Sequence, residues 1–129
     1  TFADGLAGSL VLRRLGSLVL DDPSGAITIA NDGDITLDAN GRARVIEVRA
    51  GSDATLNGLT ITGGQASFGG GIFNAGTLAL LNSTVTGNAV STTGFNRASG
   101  GGIANTGTLA ITGSTISNSS ATTASPYTT

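Results

Sequence analysis

The chain has 129 residues, enough for one domain with a single hydrophobic core, and only 11% of its residues are charged. A formal net charge of −2 provides no basic surface for nucleic acid or an anionic membrane, and no apolar run approaches the ~20 residues of a membrane-spanning helix. Cysteine and histidine are both absent, which excludes disulfides, zinc sites built on those residues and a histidine general base, so we expect no cofactor.

Short runs in which aliphatic residues alternate with polar or small ones follow one another along the chain, and this alternation predicts β-strands. In chain order the runs lie at 10–12, 18–20, 27–29, 35–37, 46–48, 56, 59–61, 72, 78–80, 85, 103, 109–111 and 116. Turn-forming sequences separate them, for example at 22–25, 31–34 and 38–41. No helical period fits this pattern, so we predict an all-β fold.

The clearest feature of the sequence is an internal repeat. The segment 69–80 returns as 100–111, and 11 of the 22 positions in 69–90 are identical to the aligned positions in 100–121. A repeat of this length, built from short strands, is typical of a solenoid, in which each coil stacks on the one before it.

The strands sort into coils of three, and equivalent strands of successive coils are expected to pair in parallel about 4.8 Å apart. The third strands align Leu37, Ile61, Val85 and Ile116; the second strands align Ile29, Leu56, Leu80 and Ile111. We predict a single β-solenoid domain over residues 1–129. It would have a partial N-terminal coil or edge at 1–15, about four full coils at 16–117 and a polar tail at 118–129.

The link from the third strand of one coil to the first strand of the next varies in length, and the link at 86–102 absorbs seven additional residues. Solenoids collect insertions on one face, which is often the binding face. Arginine and aromatic residues are typical of binding patches, and the candidates at this edge are Arg42, Arg44, Phe68, Phe95 and Arg97. The alternative is that the two phenylalanines fold back over an apolar corner.

Two features of the repeat concern the contact between coils. Asn74 and Asn105 share a coil position, so they form an asparagine ladder if they point inward, and are turn residues before Gly76 and Gly107 if they do not. The triple glycine that opens each repeat predicts a crowded corner, where backbone approaches backbone or φ is positive.

The repeat has the form Gly-Gly-Gly-Ile-x-Asn-x-Gly-Thr-Leu, followed by Ser-Thr-Val/Ile. It resembles the repeat of bacterial right-handed parallel β-helix surface proteins, the pectin-lyase-like solenoids that include polymorphic outer-membrane-protein repeats. The segments 44–48 and 58–64 also resemble the coil that such proteins place before those repeats. The resemblance covers most of residues 16–120. It implies a right-handed β-helix and secretion or surface display by a bacterium, but it does not specify a function, because this fold hosts lyases, adhesins and structural proteins.

Catalysis is not expected, because no set of side chains meets the geometric requirements of a nucleophile, a base or an oxyanion site. Asp32, Asp34 and Asp38 suggest a calcium site, but their spacing does not fit an EF-hand, and turn aspartates are the preferred interpretation. A polysaccharide lyase remains a weaker alternative. The arginines near Glu47 faintly resemble its basic and acidic groups, but exposed ion pairs explain them better.

The outward positions of the third strands form two predicted rows of hydroxyl groups. Thr60, Thr84 and Thr115 belong to one row, and the rows lie roughly 6.7 Å apart. Such a grid resembles the Thr-x-Thr face of solenoid ice-binding proteins, although threonine is also a favourable exposed residue in any strand.

Together these observations predict a non-enzymatic, extracellular structural solenoid that assembles end to end into a filament or forms part of a surface stalk or matrix. An adhesin or carbohydrate-binding module, acting on a glycan or a host surface, is the alternative. Solenoid ends expose unpaired strand edges, and neither end of this sequence carries a convincing polar cap. The predicted assembly edge consists of Leu6, Leu10, Leu12 and Ile116. The competing explanation is that further coils of a longer parent chain cover both ends.

Overall fold

Short β-strands make up the described part of this chain. The computed structural model describes residues 8–11, 17–93 and 98–124, and no helix occurs within these ranges. In chain order the strands are β1 (Gly8–Val11), β2 (Leu18–Leu20), β3 (Ala26–Asp38), β4 (Ile46–Val48), β5 (Asp53–Thr62), β6 (Gln65–Ala66), β7 (Ile72–Asn74), β8 (Thr77–Leu81), β9 (Thr84–Thr86), β10 (Ala89–Thr93), β11 (Ile103–Asn105), β12 (Thr108–Thr112), β13 (Thr115–Ser117) and β14 (Ser120–Ala124). The all-β prediction is confirmed.

Every pairing between these strands is parallel, and equivalent strands of successive coils stack in register. The first strands form a four-stranded sheet in the order β11-β7-β4-β2. The second and third strands form a seven-stranded sheet along β1-β3-β5-β8-β12, to which β9 and β13 are joined. Leu37 aligns with Ile61, Ile61 with Val85, and Val85 with Ile116. The predicted parallel β-solenoid of about four coils is therefore confirmed.

The corner between the second and third strands differs from coil to coil. In the first two coils these strands are continuous, as β3 and β5, whereas in the last two they are separate strands. Residues 31–34, predicted as a turn, lie at a shift of register in β3, where they stand opposite the single residue Gly58. Gly58, Asn82 and Gly113 occupy this corner with φ of 73°, 47° and 59°, a conformation that glycine and asparagine adopt more readily than other residues.

The links after the second and third coils carry a strand each, β6 and β10, and β14 follows the last third strand; the sequence pattern predicted none of them, and the link at 39–45 contains no strand. β6, β10 and β14 form a three-stranded sheet in the order β14-β10-β6. Ser120–Ala124 was expected to belong to the polar tail at 118–129, but it is paired over its full length with Ala89–Thr93. The last coil therefore extends to at least Ala124. This strand consists of serine, threonine and alanine, so it lacks the large apolar residues from which strands are recognised.

The register of this third sheet locates the seven additional residues. Gln65 pairs with Ala89, whereas Phe68, three positions further along the chain, pairs with Ser99, which is ten positions beyond Ala89. The insertion therefore lies between Val90 and Ser99, after β10 has begun to pair with both of its neighbours.

The core is a continuous stack of aliphatic side chains inside the coils. Its fully buried members in the second and third coils include Ile46, Val48, Leu56, Ile61, Ile72, Leu78, Leu80 and Val85. Complete burial of such a side chain contributes about 1.5–3 kcal/mol, so the contact of each coil with its neighbours is the main source of stability.

Candidate functional site

The asparagines of the repeat bond to each other between coils. The Asn74 amide donates from Nδ2 to Asn105 Oδ1 at 2.8 Å and to the backbone carbonyl of Thr108 at 2.8 Å. Asn74 Oδ1 accepts the backbone N–H of Gly76 at 3.1 Å. Because Asn74 is fully buried and lies in the core column above Val48, its amide replaces an aliphatic side chain and is satisfied by three hydrogen bonds.

The two interpretations of these asparagines describe the same geometry. Asn105 Oδ1 accepts the N–H of Gly107 at 3.2 Å, just as Asn74 Oδ1 accepts that of Gly76. Each asparagine therefore closes its own turn, and Asn74 also reaches the next coil. Asn105 is exposed, because the described residues include no fifth coil above it.

Two further polar contacts between coils were missed by sequence reasoning. The Asn88 amide is buried, where it accepts the N–H of Gly64 at 2.9 Å and donates to the carbonyl of Ile61 at 3.0 Å. Ser83 Oγ accepts the N–H of Leu59 at 3.1 Å in the coil below. Ser83 returns in the repeat as Ser114, which was a usable signal, whereas Asn88 has a serine at the equivalent position and gave none.

The triple glycines lie where backbones are in close contact, as predicted. A Cβ atom on Gly70 would stand 2.4 Å from the Ala89 carbonyl oxygen, and one on Gly71 would stand 2.6 Å from that of Gly102. The glycine before them, Gly69, has a φ of 58°. Both expected causes, crowding and positive φ, therefore act at this corner.

Arg44 does not have the exposed position expected of a surface-binding residue. Its side chain is only 12% exposed, and its guanidinium donates to Glu47 Oε1 at 2.7 Å. It also donates from Nε to the carbonyl of Gly69 at 3.0 Å and from Nη2 to that of Phe68 at 2.8 Å. Burial lowers the pKa of Arg44, and the Glu47 carboxylate opposes that shift. Arg44 is therefore a clamp between the second coil and the turn that leads into the third.

Two aromatic rings enclose the Arg44 clamp. The guanidinium carbon lies 4.9 Å from the ring centre of Phe68 and 5.1 Å from that of Phe73, within the range of a cation–π contact. The two rings meet edge to face at 4.9 Å. Phe68 thus covers an apolar corner, as the alternative interpretation proposed, yet it remains 42% exposed.

An apolar groove begins at the outer side of these rings. It has a volume of about 510 Å³ and is lined by Phe68, Phe73, Ser99, Gly100, Ile103, Ala104, Asn105 and Thr106. The groove exists because Ala104 is the register partner of Phe73, so a methyl group follows a phenyl ring on the outer face of the first-strand sheet. Of the other edge candidates, Arg42 is exposed, and Phe95 and Arg97 lie outside the described residues.

The predicted hydroxyl rows are present as stacked columns. Thr36 aligns with Thr60, Thr60 with Thr84, and Thr84 with Thr115. In the second row, Ser117 Oγ donates to Thr86 Oγ1 at 3.3 Å. These hydroxyl groups therefore form some of their hydrogen bonds along the stack.

The C-terminal end of the solenoid exposes core side chains. Ile111 and Ile116 are 43% and 44% exposed, whereas Leu80 and Val85, their register partners one coil earlier, are fully buried. At the other end, Leu10 pairs with Leu37 through β1. Leu6 and Leu12, the remaining predicted edge residues, lie outside the described residues.

Other kinds of site find no support in the described part of the chain. No group of three or more acidic residues there is arranged to hold a metal ion. The described ranges contain no helix, and therefore none that could cross a membrane. No family model, curated protein or solved structure matches the chain. A functional proposal must therefore start from the surfaces described above.

Proposed function

We propose that this chain is a non-enzymatic structural solenoid that binds further copies of itself end to end. The observation that carries the proposal is the position of its exposed large apolar side chains. Among the described residues these are Val19, Phe68, Ile111 and Ile116. Val19 belongs to the first coil, Ile111 and Ile116 belong to the last, and Phe68 lines the groove beside the last coil.

Stacking one solenoid on another would cover Ile111 and Ile116 in the way that the solenoid covers its own core. Ile111 would become as buried as Leu80, with a gain of the order of 1 kcal/mol for the exposed part of the side chain. The contact joins a C-terminal end to an N-terminal end, so it is heterologous. Unless it closes into a ring, it extends into a filament.

The proposed location is the outside of a bacterial cell. The chain contains no cysteine and therefore tolerates an oxidising environment, and its repeat resembles that of surface-displayed β-helix proteins. A filament, a stalk or a matrix would use the same end-to-end contact. In a longer parent chain, adjoining coils would occupy the same edge.

The proposal is tested by placing charge on the C-terminal end. We expect wild-type protein to form end-to-end oligomers in sedimentation and electron microscopy, and Ile111→Lys with Ile116→Lys to remain monomeric. Ala110→Lys with Thr115→Lys is the matched control, since it adds the same charge to exposed positions on the same two strands. Wild-type protein that stays monomeric at high concentration, or equal loss of assembly in both variants, would contradict the proposal.

A second candidate function, a carbohydrate-binding or adhesin module, is favoured by the groove. Aromatic rings with a polar rim, here Phe68 with Ser99 and Thr106, are a common form of small-molecule site. Phe68→Ala would abolish binding in a glycan-array assay, whereas Val19→Ala, which removes an equally exposed apolar side chain outside the groove, would not. Absence of glycan binding by wild-type protein would remove this candidate.

A further inference from the structure

The two ends of the solenoid have different shapes. Among the described strands, the first-strand column contains four members, from β2 to β11, and the second-strand column likewise begins at β3 and ends at β12. The third-strand column contains a fifth member, because β1 pairs with the C-terminal half of β3. The C-terminal end is thus flush, whereas β1 projects about 4.8 Å beyond its neighbours at the N-terminal end.

A flush end cannot pair with a stepped end in every column. If β13 of one copy pairs with β1 of the next, β11 and β2 are left about 9.6 Å apart, two strand spacings. If β11 pairs with β2 and β12 with β3, then β13 must occupy the place of β1. Among the described strands, the first arrangement offers none to cover Ile111, whereas the second covers it with β3.

We propose that assembly proceeds by strand exchange, in which β13 of one copy replaces β1 on the free edge of β3 in the next copy. This inference rests on the proposed end-to-end function and specifies its interface. β1 is only four residues long and has a single neighbour, β3, among the described strands. It is a cap that protects this edge in the free chain and leaves it when a second copy binds.

The register of the exchanged interface follows from the existing ladders. Ile116 would lie over Leu37, in the place that Leu10 occupies now. Leu109 would lie over Ile27 and Ile111 over Ile29, because the second-strand ladder aligns residue 109 with 78, 54 and 27 in turn. Aliphatic residues therefore face aliphatic residues in both columns.

The first-strand column fits as well. Val19 would become the outer-face neighbour of Ala104, at the groove beside Phe73. The exposed valine of one copy thereby fills part of the apolar groove of another. The Asn105 amide would reach the carbonyl of Ala26, just as Asn74 reaches that of Thr108, so the end of the ladder also gains a partner.

Cysteine pairs distinguish the two arrangements, because the native chain contains no cysteine. If β13 replaces β1, Thr115 lies beside Thr36 of the next copy. If β1 stays in place and β13 pairs with it, Thr115 lies beside Ser9 of the next copy. Within one chain Thr36 and Thr115 are three strand spacings apart, about 14 Å, which is too far for a disulfide. Any disulfide that forms must therefore join two copies.

The experiment oxidises three full-length variants at assembling concentration and separates the products under denaturing conditions. Thr36→Cys with Thr115→Cys is expected to give disulfide-linked dimers and longer chains. Ser9→Cys with Thr115→Cys is expected to give at least tenfold less, as is the control Thr60→Cys with Thr115→Cys, which pairs an internal strand with the end. Cross-linking through Ser9 in preference to Thr36 would overturn the exchange while leaving end-to-end assembly in place.

Two further readouts separate failure of the inference from failure of the proposed function. Of two adjacent residues in a strand, one donates its N–H to a given neighbour, so replacing both Ser9 and Leu10 by proline removes a hydrogen bond from β1 to β3. The weaker pairing makes β1 easier to displace, so the variant should assemble at a lower protein concentration. The axial repeat in electron microscopy should be about 19 Å for exchange, four strand spacings, and about 24 Å if β1 is retained. An unchanged or higher concentration needed for assembly of the proline variant, or the longer repeat, would contradict exchange. Absence of any assembly in wild-type and proline variants would contradict both proposals.

Discussion

Replacement of Asn74 by alanine should be among the most destabilising polar substitutions in this chain. The substitution removes three hydrogen bonds, two of them to the coil above, and leaves the buried N–H of Gly76 without an acceptor. A hydrogen bond contributes a net ~0.5–1.5 kcal/mol, and a buried donor without a partner costs ~1–3 kcal/mol. Since the carbonyl of Thr108 is in an exposed residue and can bind water, we expect a total loss of about 2–4 kcal/mol.

The same substitution at Asn105 should cost less, although the two residues share a coil position. Asn105 is exposed, and the N–H of Gly107 that it accepts belongs to an exposed residue, so water replaces the lost bonds. The remaining cost is the 2.8 Å bond with Asn74, about 0.5–1.5 kcal/mol. The structure therefore predicts unequal effects from two asparagines that are identical in the sequence repeat.

Urea denaturation of the two single variants and the double variant measures these quantities, and the double-mutant cycle isolates the bond between the amides. Asn57→Ala is the matched control, because Asn57 accepts from Asn82 on the outer surface at 3.3 Å. A surface substitution of this kind should cost no more than about 0.5 kcal/mol. The reasoning fails if Asn74→Ala costs as little as Asn57→Ala, or if Asn105→Ala costs as much as Asn74→Ala.

Three other predictions concern the rest of the described chain. Arg44→Met should lower the free energy of unfolding by about 1–3 kcal/mol in urea denaturation, because it removes the hydrogen bonds to Glu47 and to the carbonyls of Phe68 and Gly69. Glu47 keeps its ion pair with Arg49 at 2.6 Å, and exposed Arg42→Met should be neutral. Gly71→Ala should prevent native folding or cost upwards of about 2 kcal/mol by circular dichroism melting, because its Cβ would overlap a carbonyl oxygen. Hydrogen bonds from the Ser24 hydroxyl and backbone N–H lower the pKa of Asp22 below 3.8. The Asp22 carboxylate therefore stabilises the fold above pH 3.8, and this stabilisation is lost as the pH falls through the folded-state pKa. Asp22→Ala should reduce the loss of stability at acidic pH when the free energy of unfolding is measured against pH.

The columns of the solenoid could be predicted because a parallel ladder imposes one register on every coil. Leu37, Ile61, Val85 and Ile116 are recognisable from spacing alone, since each must face the core at the same place. Serine recurs at 83 and 114, and this repetition indicates a shared role at the corner between the second and third strands, where each hydroxyl accepts a backbone N–H of the preceding coil. Repetition thus converts a weak local signal into a strong one wherever a position has the same role in each coil.

Positions with a role in only one coil could not be predicted. Arg44 has no arginine in the next coil, so nothing in the sequence indicates that it bonds to the carbonyls of Phe68 and Gly69. β14 was not predicted because backbone pairing with β10, rather than alternating apolar side chains, stabilises it. In both cases the determining partner lies a full coil away in the sequence and is brought near by the stacking of coils.

The two ends of the solenoid show that a residue that looks unpaired in the sequence can already be paired in the structure. Leu10 and Ile116 both look like unpaired core residues in the sequence, and both belong to the predicted assembly edge. The structure pairs the strand of Leu10 with β3, so that strand already fills the position that Ile116 of another copy would need. The proposed assembly in register would therefore displace β1, and the strength of the β1–β3 pairing would set the concentration at which copies join. We therefore expect the chain to remain monomeric when dilute, because its own strand then competes effectively for the edge, and to assemble when neighbouring copies supply β13 at sufficient concentration.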